Sequence, residues 1–252
     1  MSSGAEGSPK AVAVVGAGAA GLATAIFAAR LLGPGRVLLL DGAKRPGAKI
    51  LVSGGSRCNV TNRVVTDRDF NGGPPHLVRR VLRAFTVEET VEFFREIGVA
   101  LHEEEHGKLF PDTHESRTVL DALLVEAARR GVELRVGSRV TGLGLEGNAF
   151  TVATGSTSWR AGRVVLATGG LSLPKTGSDG GGYAMVRSLG HTLVPTTPAL
   201  VPLVLEGSFH QALSGVSQEV DLKLTSTGTR PTHVCGALFN RDFPLRSSAN
   251  SA

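Results

Sequence analysis

The chain has only two cysteines in 252 residues, Cys58 and Cys235. They stand far apart in the sequence, so neither a disulfide framework nor a CxxC redox pair is expected. A reducing cytoplasm is therefore the simplest compartment. The chain also lacks any block of five or six like charges, because its 27 basic and 22 acidic residues are scattered. A net charge of +5 suits an anionic cofactor as well as nucleic acid, so it does not discriminate between them.

No segment reads as a membrane span or a signal peptide, although residues 11–29 carry no charge and are almost long enough to cross a bilayer. Regularly spaced glycines and a β-branched start favour a buried strand followed by a helix instead. A hydrophobic content of 41% is enough for a real core. The length allows one full domain plus part of another. We expect no membrane partner.

A glycine fingerprint is the strongest motif that the sequence does contain. GAGAAG follows the apolar run AVAVV and opens a helix-like stretch, LATAIFAARLL. Gly16 allows a tight turn, Gly18 lets a pyrophosphate approach the backbone, and Gly21 lets helix and strand pack closely. A second apolar run, VLLL, ends in Asp41, twenty residues past Gly21, where an acid can bind a ribose hydroxyl. This order predicts a βαβ unit that binds a dinucleotide.

The rest of the chain predicts a layered α/β fold. Residues 1–9 have no periodicity and are expected to be a disordered tail. Residues 10–192 are predicted to form a Rossmann-like FAD-binding domain of three layers: a β-meander, a parallel sheet and helices. Short strands separated by turn residues between residues 132 and 170 supply the meander, and the last two are SWRAG and RVVLATGG. Thr86 to Glu89 is predicted to form the capping box of a helix, and residues 100–112 a short hairpin or an extended stretch. From residue 193 to 252, Pro-spaced apolar runs and alternating segments predict the incomplete start of a second, β-rich domain.

Three segments resemble the YhiN/BaiN family of bacterial FAD-dependent flavoproteins, also described as NAD(P)/FAD-dependent or aminoacetone-oxidase-like. They are KILVSGGSRCNVTN, GKLFPDT and ATGGLSLPKTGSDGGGYAMVRSLGHTLVPTTPALVPL, and the resemblance covers residues 10–239. It implies an oxidoreductase that uses FAD, with NAD(P)H as a candidate electron donor and a small molecule as substrate. Nucleic acid is not an expected partner, and the catalytic acid and base stay unassigned.

The resemblance also implies which residues hold FAD. The GAGAAG segment would hold the pyrophosphate, Asp41 the adenosine ribose and Val140 the adenine through strand backbone. A loop rich in glycine would run along the cofactor, and the ATGG turn would lie beside it. The implied cofactor residues are Gly16, Gly18, Ala19, Ala20, Gly21, Asp41, Lys49, Ser53, Gly54, Gly55, Arg57, Cys58, Asn59, Val140, Ala167, Thr168, Gly169 and Gly170.

The chain departs from the family pattern in three places. Ser56 stands where a third glycine is usual, which demands a negative φ or some strain. The family usually reads TGSTGDGY where this chain has TGSDGGGY, so Gly181 replaces an acid and Asp179 appears two residues early. After Phe239 the family continues LFTHxGLSGP, whereas this chain gives LFNRDFPLRSSANSA. That ending leads us to expect a C-terminally truncated member.

Other constellations support weaker hypotheses. HEEEH, residues 102–106, matches the zinc-protease pattern HExxH, but it lies outside any predicted helix and lacks an evident third ligand, so no metal is expected. Cys58 beside Arg57 is either a redox thiol or, as we favour, a small side chain packed near the cofactor. Lys44 and Arg45 suit a solvated turn better than a 2′-phosphate site.

Three alternatives to a flavin enzyme stay open from the sequence. One is an NAD-dependent dehydrogenase, which the βαβ start allows. A second is a non-catalytic remnant of a flavoprotein. A third is a tRNA-modifying flavoprotein, which rests only on mild basicity.

Overall fold

The computed structural model describes residues 8–70, 72–155, 157–198, 212–225, 228 and 231–239. The chain divides into two compact units, Met1–Thr196 and Thr197–Ala252. Most of the tail predicted at residues 1–9, residues 199–211 and the chain beyond 239 lie outside the described residues.

The strands are β1 (Lys10–Val15), β2 (Val37–Leu40), β3 (Thr61–Asn62), β4 (Leu101–Glu104), β5 (Lys108–Pro111), β6 (Glu133–Arg135), β7 (Val140–Glu146), β8 (Ala149–Thr154), β9 (Ser158–Leu166), β10 (Ser217–Leu224) and β11 (Thr232–Phe239). The α-helices are α1 (Ala19–Leu32), α2 (Ala48–Val52), α3 (Pro75–Ala84), α4 (Val87–Glu96), α5 (Ser116–Arg129) and α6 (Gly181–Ser188).

A six-stranded sheet organises the first unit, in the order β6-β2-β1-β9-β8-β7. The four strands β6, β2, β1 and β9 are parallel, whereas β7, β8 and β9 pair antiparallel as a meander. The sequence suggested two strands, SWRAG and RVVLATGG, where the structure has the single strand β9. Its first half pairs with β8 and its second half with β1, so one strand belongs to both the meander and the parallel sheet.

Side-chain alternation along the parallel strands produces two cores. In β1, Val14 packs with α1, α4 and α5, whereas Ala13 and Val15 pack with the meander. In β2, Leu39 lies on the helical side and Leu38 on the meander side. All of these side chains are almost fully buried, as expected for a parallel sheet covered on both faces. The predicted three-layer Rossmann-like fold is confirmed.

The first unit also contains a small sheet of order β3-β5-β4, in which β3 precedes α3 in the chain and β4 and β5 lie between α4 and α5. Of the hairpin and the extended stretch predicted for residues 100–112, the structure has the hairpin, formed by the antiparallel strands β4 and β5. The predicted capping box is also present: Thr86 Oγ1 accepts from Glu89 N at 3.2 Å, and Glu89 Oε2 accepts from Thr86 N at 2.7 Å. The glycine-rich segment predicted as a loop contains one short helix, α2.

The second unit contains, among its described residues, the antiparallel pair β10 and β11, with Val220 opposite Gly236. Across the described part of the whole chain, no helix combines the length and the apolar character needed to cross a membrane.

Candidate cofactor site

A cavity of about 780 Å³ opens at the carboxyl ends of the parallel strands. The first residues beyond β1, β2 and β9, namely Gly16, Asp41 and Ala167, all line it. This edge of an open α/β sheet is where such folds bind ligands, because the strand order reverses around β1. The volume lies within the about 300–1,000 Å³ that is typical of small-molecule sites.

The three fingerprint glycines occupy different environments. Gly16 has φ +102°, and a Cβ there would lie 2.5 Å from the carbonyl oxygen of Ala167. A Cβ on Gly21 would overlap the carbonyl oxygen of Gly16. By contrast, Gly18 has φ −81°, lines the cavity, and would place a Cβ with no atom within 4 Å. Gly16 and Gly21 therefore serve the turn and the helix–strand contact, whereas Gly18 leaves cavity space empty.

Helix α1 points its N-terminus at this cavity. It begins at Ala19, its N-cap is Gly18, no side chain caps it, and no acid lies in its first turn. The first amides of a helix have no partner within the helix and carry the positive end of its dipole. Ala19 and Ala20 line the cavity, so this end of the helix is suited to an anion.

Asp41 is fixed by the backbone around it. Its Oδ2 accepts a hydrogen bond from Ala17 N at 2.6 Å, and its Oδ1 accepts one from Ala43 N at 2.7 Å. These bonds tie the end of β2 to the glycine turn and hold the carboxylate at the cavity wall. Each carboxylate oxygen can accept more than one hydrogen bond, so capacity for a ribose hydroxyl is left.

The loop after α2 has an unusual backbone. Gly54, Gly55, Ser56 and Cys58 all have φ between +54° and +68°. The backbone strain expected for Ser56 is therefore present, and Cys58 has the same strained conformation. Non-glycine residues seldom adopt this region, and such strain concentrates at functional sites.

This loop sends only some of its side chains to the cavity. Ser53, Cys58 and Asn59 line it, whereas Gly54, Gly55 and Arg57 do not. Arg57 turns instead to Glu104, with Nη1 2.6 Å from Oε1, and stacks over the ring of Phe110 at 4.2 Å.

Asn59 carries an unused acceptor. Among the described residues, its Oδ1 is one of two buried side-chain polar atoms without a hydrogen-bond partner. Its Nδ2 donates to Asn62 at 3.3 Å. An unpaired buried polar atom costs about 1–3 kcal/mol. Asn59 lines the cavity, and a ligand donor that came within hydrogen-bond distance of Oδ1 would satisfy this atom.

Cys58 is a buried thiol at the cavity wall. Burial raises its pKa, and a hydrogen bond with Ser53 offsets this only in part. The thiol is therefore protonated at neutral pH, which makes it a poor nucleophile. This favours the packed side chain over the redox thiol.

The opposite wall comes from β9 and the segment that leads to α6. Ala167, Thr168 and Gly169 line the cavity, as does Val140 at the start of β7. Gly170 does not, and a Cβ there would lie 2.9 Å from the hydroxyl oxygen of Tyr183. Of the predicted residues, the structure brings together at the cavity Gly16, Gly18, Ala19, Ala20, Asp41, Lys49, Ser53, Cys58, Asn59, Val140, Ala167, Thr168 and Gly169.

Sequence reasoning missed an ion pair in the lining. Arg139 Nη2 lies 2.7 Å from Asp179 Oδ2, and both residues line the cavity. The backbone N–H of Gly181 and the Arg139 guanidinium hold the pKa of Asp179 below its usual range. Asp179, the acid that appears two residues early in TGSDGGGY, thus forms an ion pair with Arg139. Arg139 directly precedes Val140, a predicted cofactor residue. This position was the only sequence feature that pointed to Arg139.

The chain is similar to proteins of one known family. A family model described as the HI0933-like protein Rossmann domain matches residues 10–239. The 3-dehydro-bile acid delta(4,6)-reductase of Clostridium scindens is 38% identical over 192 residues, which cover 76% of this chain and 47% of that protein. The ribosomal RNA dihydrouridine synthase of Escherichia coli is 35% identical over 209 residues, which cover 81% of this chain and 51% of that protein.

The chain thus spans about half the length of these two relatives. Among solved structures, the open conformation of a flavocytochrome c3 fumarate reductase aligns with a TM-score of 0.50 and 20% identity, over 74% of this chain and 41% of that one. A likeness at that identity shows the fold alone.

Proposed function

The chain belongs to the HI0933-like Rossmann-domain family, whose fold is that of FAD-dependent oxidoreductases, and from this membership we propose that it binds FAD in the cavity and acts as a reductase. The proposed acceptor is a carbon–carbon double bond conjugated to a carbonyl group in a small molecule. NAD(P)H is the proposed electron donor. The resemblance to the YhiN/BaiN family, inferred from three sequence segments, is confirmed.

One observation carries the proposal: thirteen of the eighteen expected cofactor residues, drawn from segments up to 153 residues apart, line a single cavity at the end of the parallel strands. The segments are the glycine turn, the end of β2, the loop after α2, the start of β7 and the ATGG turn. If each of these segments had only a structural role, they would not need to face the same cavity.

The residues of the cavity fit FAD on two counts. Gly18 leaves open the volume that a pyrophosphate needs beside the first amides of α1. Asn59 Oδ1 is a buried acceptor without a hydrogen-bond donor, and a flavin or ribityl group would provide such a donor. When bound, FAD supplies the hydride chemistry, and the protein supplies binding, orientation and electrostatics.

The chain's own groups divide this work. The first amides of α1, at Ala19 and Ala20, would hold the pyrophosphate, and Asp41 is pre-oriented by its two backbone hydrogen bonds. Apolar side chains on the cavity wall exclude water from the site, which strengthens each polar contact within it. These side chains are Val15, Leu40, Ile50, Val60, Phe94, Val119, Leu123, Leu166 and Met185.

The acceptor class is suggested by the names of the two relatives. A 3-dehydro-bile acid delta(4,6)-reductase and a dihydrouridine synthase both act, by their names, on carbon–carbon double bonds in conjugation with a carbonyl. That shared chemistry supports a reductase of such bonds. It also supports a second candidate acceptor, the uracil base of ribosomal RNA, because one of the two names specifies it.

An anaerobic assay tests the acceptor. The chain is loaded with FAD, reduced with NADH or NADPH, and mixed either with a 3-oxo-delta(4,6) steroid acid or with a uridine-containing ribosomal RNA transcript. Reoxidation of the flavin by the steroid, with a product two mass units heavier, is the expected result. Reoxidation by RNA alone would transfer the proposal to the second acceptor, and reoxidation by neither would refute the proposed acceptor class.

A further inference from the structure

Two histidines and a glutamate converge outside the cavity. His102 and Glu104 lie two residues apart on β4, so they share one face of the strand. His114 approaches them from the turn between β5 and α5, where its φ is +54°. One ligand atom from each side chain lies within 4.8 Å of the other two.

Two of the three separations among these atoms suit a tetrahedral metal ion. Glu104 Oε1 lies 3.3 Å from His102 Nε2 and 3.6 Å from His114 Nδ1. Zinc binds imidazole nitrogen and carboxylate oxygen at about 2.0–2.2 Å, and tetrahedral angles then place neighbouring ligand atoms about 3.4 Å apart. The two measured separations lie on either side of this value.

A further carboxylate orients one of the imidazoles. His102 Nδ1 lies 3.1 Å from Asp112 Oδ1, while the Nε2 of the same ring faces Glu104. Histidines that bind metals almost always donate their other N–H in this way, which fixes the tautomer and the ring plane. In the tautomer whose Nδ1–H donates to Asp112, Nε2 is the nitrogen that can bind a metal ion in the cluster.

We propose that His102, Glu104 and His114 form a binding site for one divalent transition-metal ion such as Zn²⁺, with Asp112 as the outer partner of His102. Two imidazoles and one carboxylate are a common ligand set for Zn²⁺. The three side chains are 32%, 26% and 56% exposed, so the ion can enter from solvent and a fourth position is open to water.

This ligand set differs from the one that the sequence pattern HEEEH would supply. In that pattern His106 is the second histidine, and the motif requires a helix. Here His102 lies on a strand, and His106 lies in the following turn with φ +61°. His106 is therefore a matched control for His114.

Arg57 competes with the proposed ion. Its Nη1 lies 2.6 Å from Glu104 Oε1, the same oxygen that faces both imidazoles. A cation at the site would displace the guanidinium from that oxygen, and Arg57 would keep its stacking on Phe110. Removal of the charge should therefore strengthen metal binding, a result that damage to the fold would not produce.

The test is a zinc titration of the full chain, stripped of metal, against a chromogenic chelator. Cys235→Ser is used as the background because that exposed thiol could bind zinc itself. We expect equimolar Zn²⁺ binding, a loss of about 10–100-fold in affinity for Asp112→Asn, a larger loss for His114→Ala, no change for His106→Ala, and tighter binding for Arg57→Gln.

The following results would contradict the proposal in whole or in part. Absence of a saturable site in the background protein would refute it, as would unchanged affinity in His114→Ala. A loss in His106→Ala equal to that in His114→Ala would assign any bound zinc to the HEEEH pattern instead. Weaker binding by Arg57→Gln, with an unchanged circular dichroism spectrum, would show that Arg57 supports the cluster and does not compete for it.

Discussion

Substitution of Gly18 by valine should abolish FAD binding while the fold stays intact. The residue has φ −81° and ψ −169°, a conformation open to any L-amino acid, and a Cβ there meets no atom within 4 Å. The new side chain would occupy the cavity beside the first amides of α1. We therefore expect the free energy of unfolding to change by no more than about 1 kcal/mol.

The loss of affinity follows from the groups that the valine would cover. Ala19 and Ala20 line the cavity and would each offer one backbone N–H to a bound pyrophosphate, and a hydrogen bond to a charged group is worth about 1.5–3 kcal/mol. Loss of both costs about 3–6 kcal/mol, which is about 10²–10⁴-fold in the dissociation constant. Fluorescence titration with FAD measures this change, and urea unfolding of the apoprotein measures stability.

Two other glycines complete the experiment. Gly142→Val in β7 is the matched control, because its Cβ also meets no atom within 4 Å and the residue does not line the cavity. It should bind FAD normally. Gly21→Ala should instead destabilise the fold, since its Cβ would overlap the Gly16 carbonyl oxygen. Normal FAD binding by folded Gly18→Val would refute the placement of the pyrophosphate at α1.

Two further predictions concern buried groups. Glu126 accepts hydrogen bonds from three arginines; burial raises its pKa, but the bonds from Arg130 and Arg30 outweigh this and hold the pKa below 4.5. Glu126→Gln should cost about 2 kcal/mol in urea unfolding at pH 7. Because the folded-state pKa is the lower one, this contribution is present above pH 4.5 and is lost as pH falls through the folded value, so an equal cost at low pH would contradict the reasoning. Iodoacetamide should label exposed Cys235 well before buried Cys58, as mass spectrometry would measure. Equal labelling rates would contradict the conclusion that the Cys58 thiol is buried and protonated.

Local patterns predicted the parts of the fold that depend on neighbouring residues. The β1–α1–β2 unit, the capping box of α4 and the β4–β5 hairpin each follow from short-range spacing, and the structure has all three. The continuity of β9 was missed because Gly162 resembles a turn residue. In the structure a Cβ on Gly162 would lie 3.3 Å from the carbonyl oxygen of Ala11, so the glycine permits close strand packing.

Contacts between distant residues escaped sequence reasoning. Arg139 and Asp179 are 40 residues apart and meet only because the start of β7 and the segment before α6 both border the cavity. His114 lies near His102 because β5 runs antiparallel to β4 and ends just before His114. No spacing rule connects such pairs, since their proximity is set by tertiary packing.

The visible absorbance of the purified chain after equilibration with FAD and removal of unbound cofactor tests the central claim most directly. The account predicts a yellow protein that carries equimolar FAD, and a Gly18→Val variant that stays colourless under the same treatment. A folded wild-type chain that remains colourless at saturating FAD would contradict it.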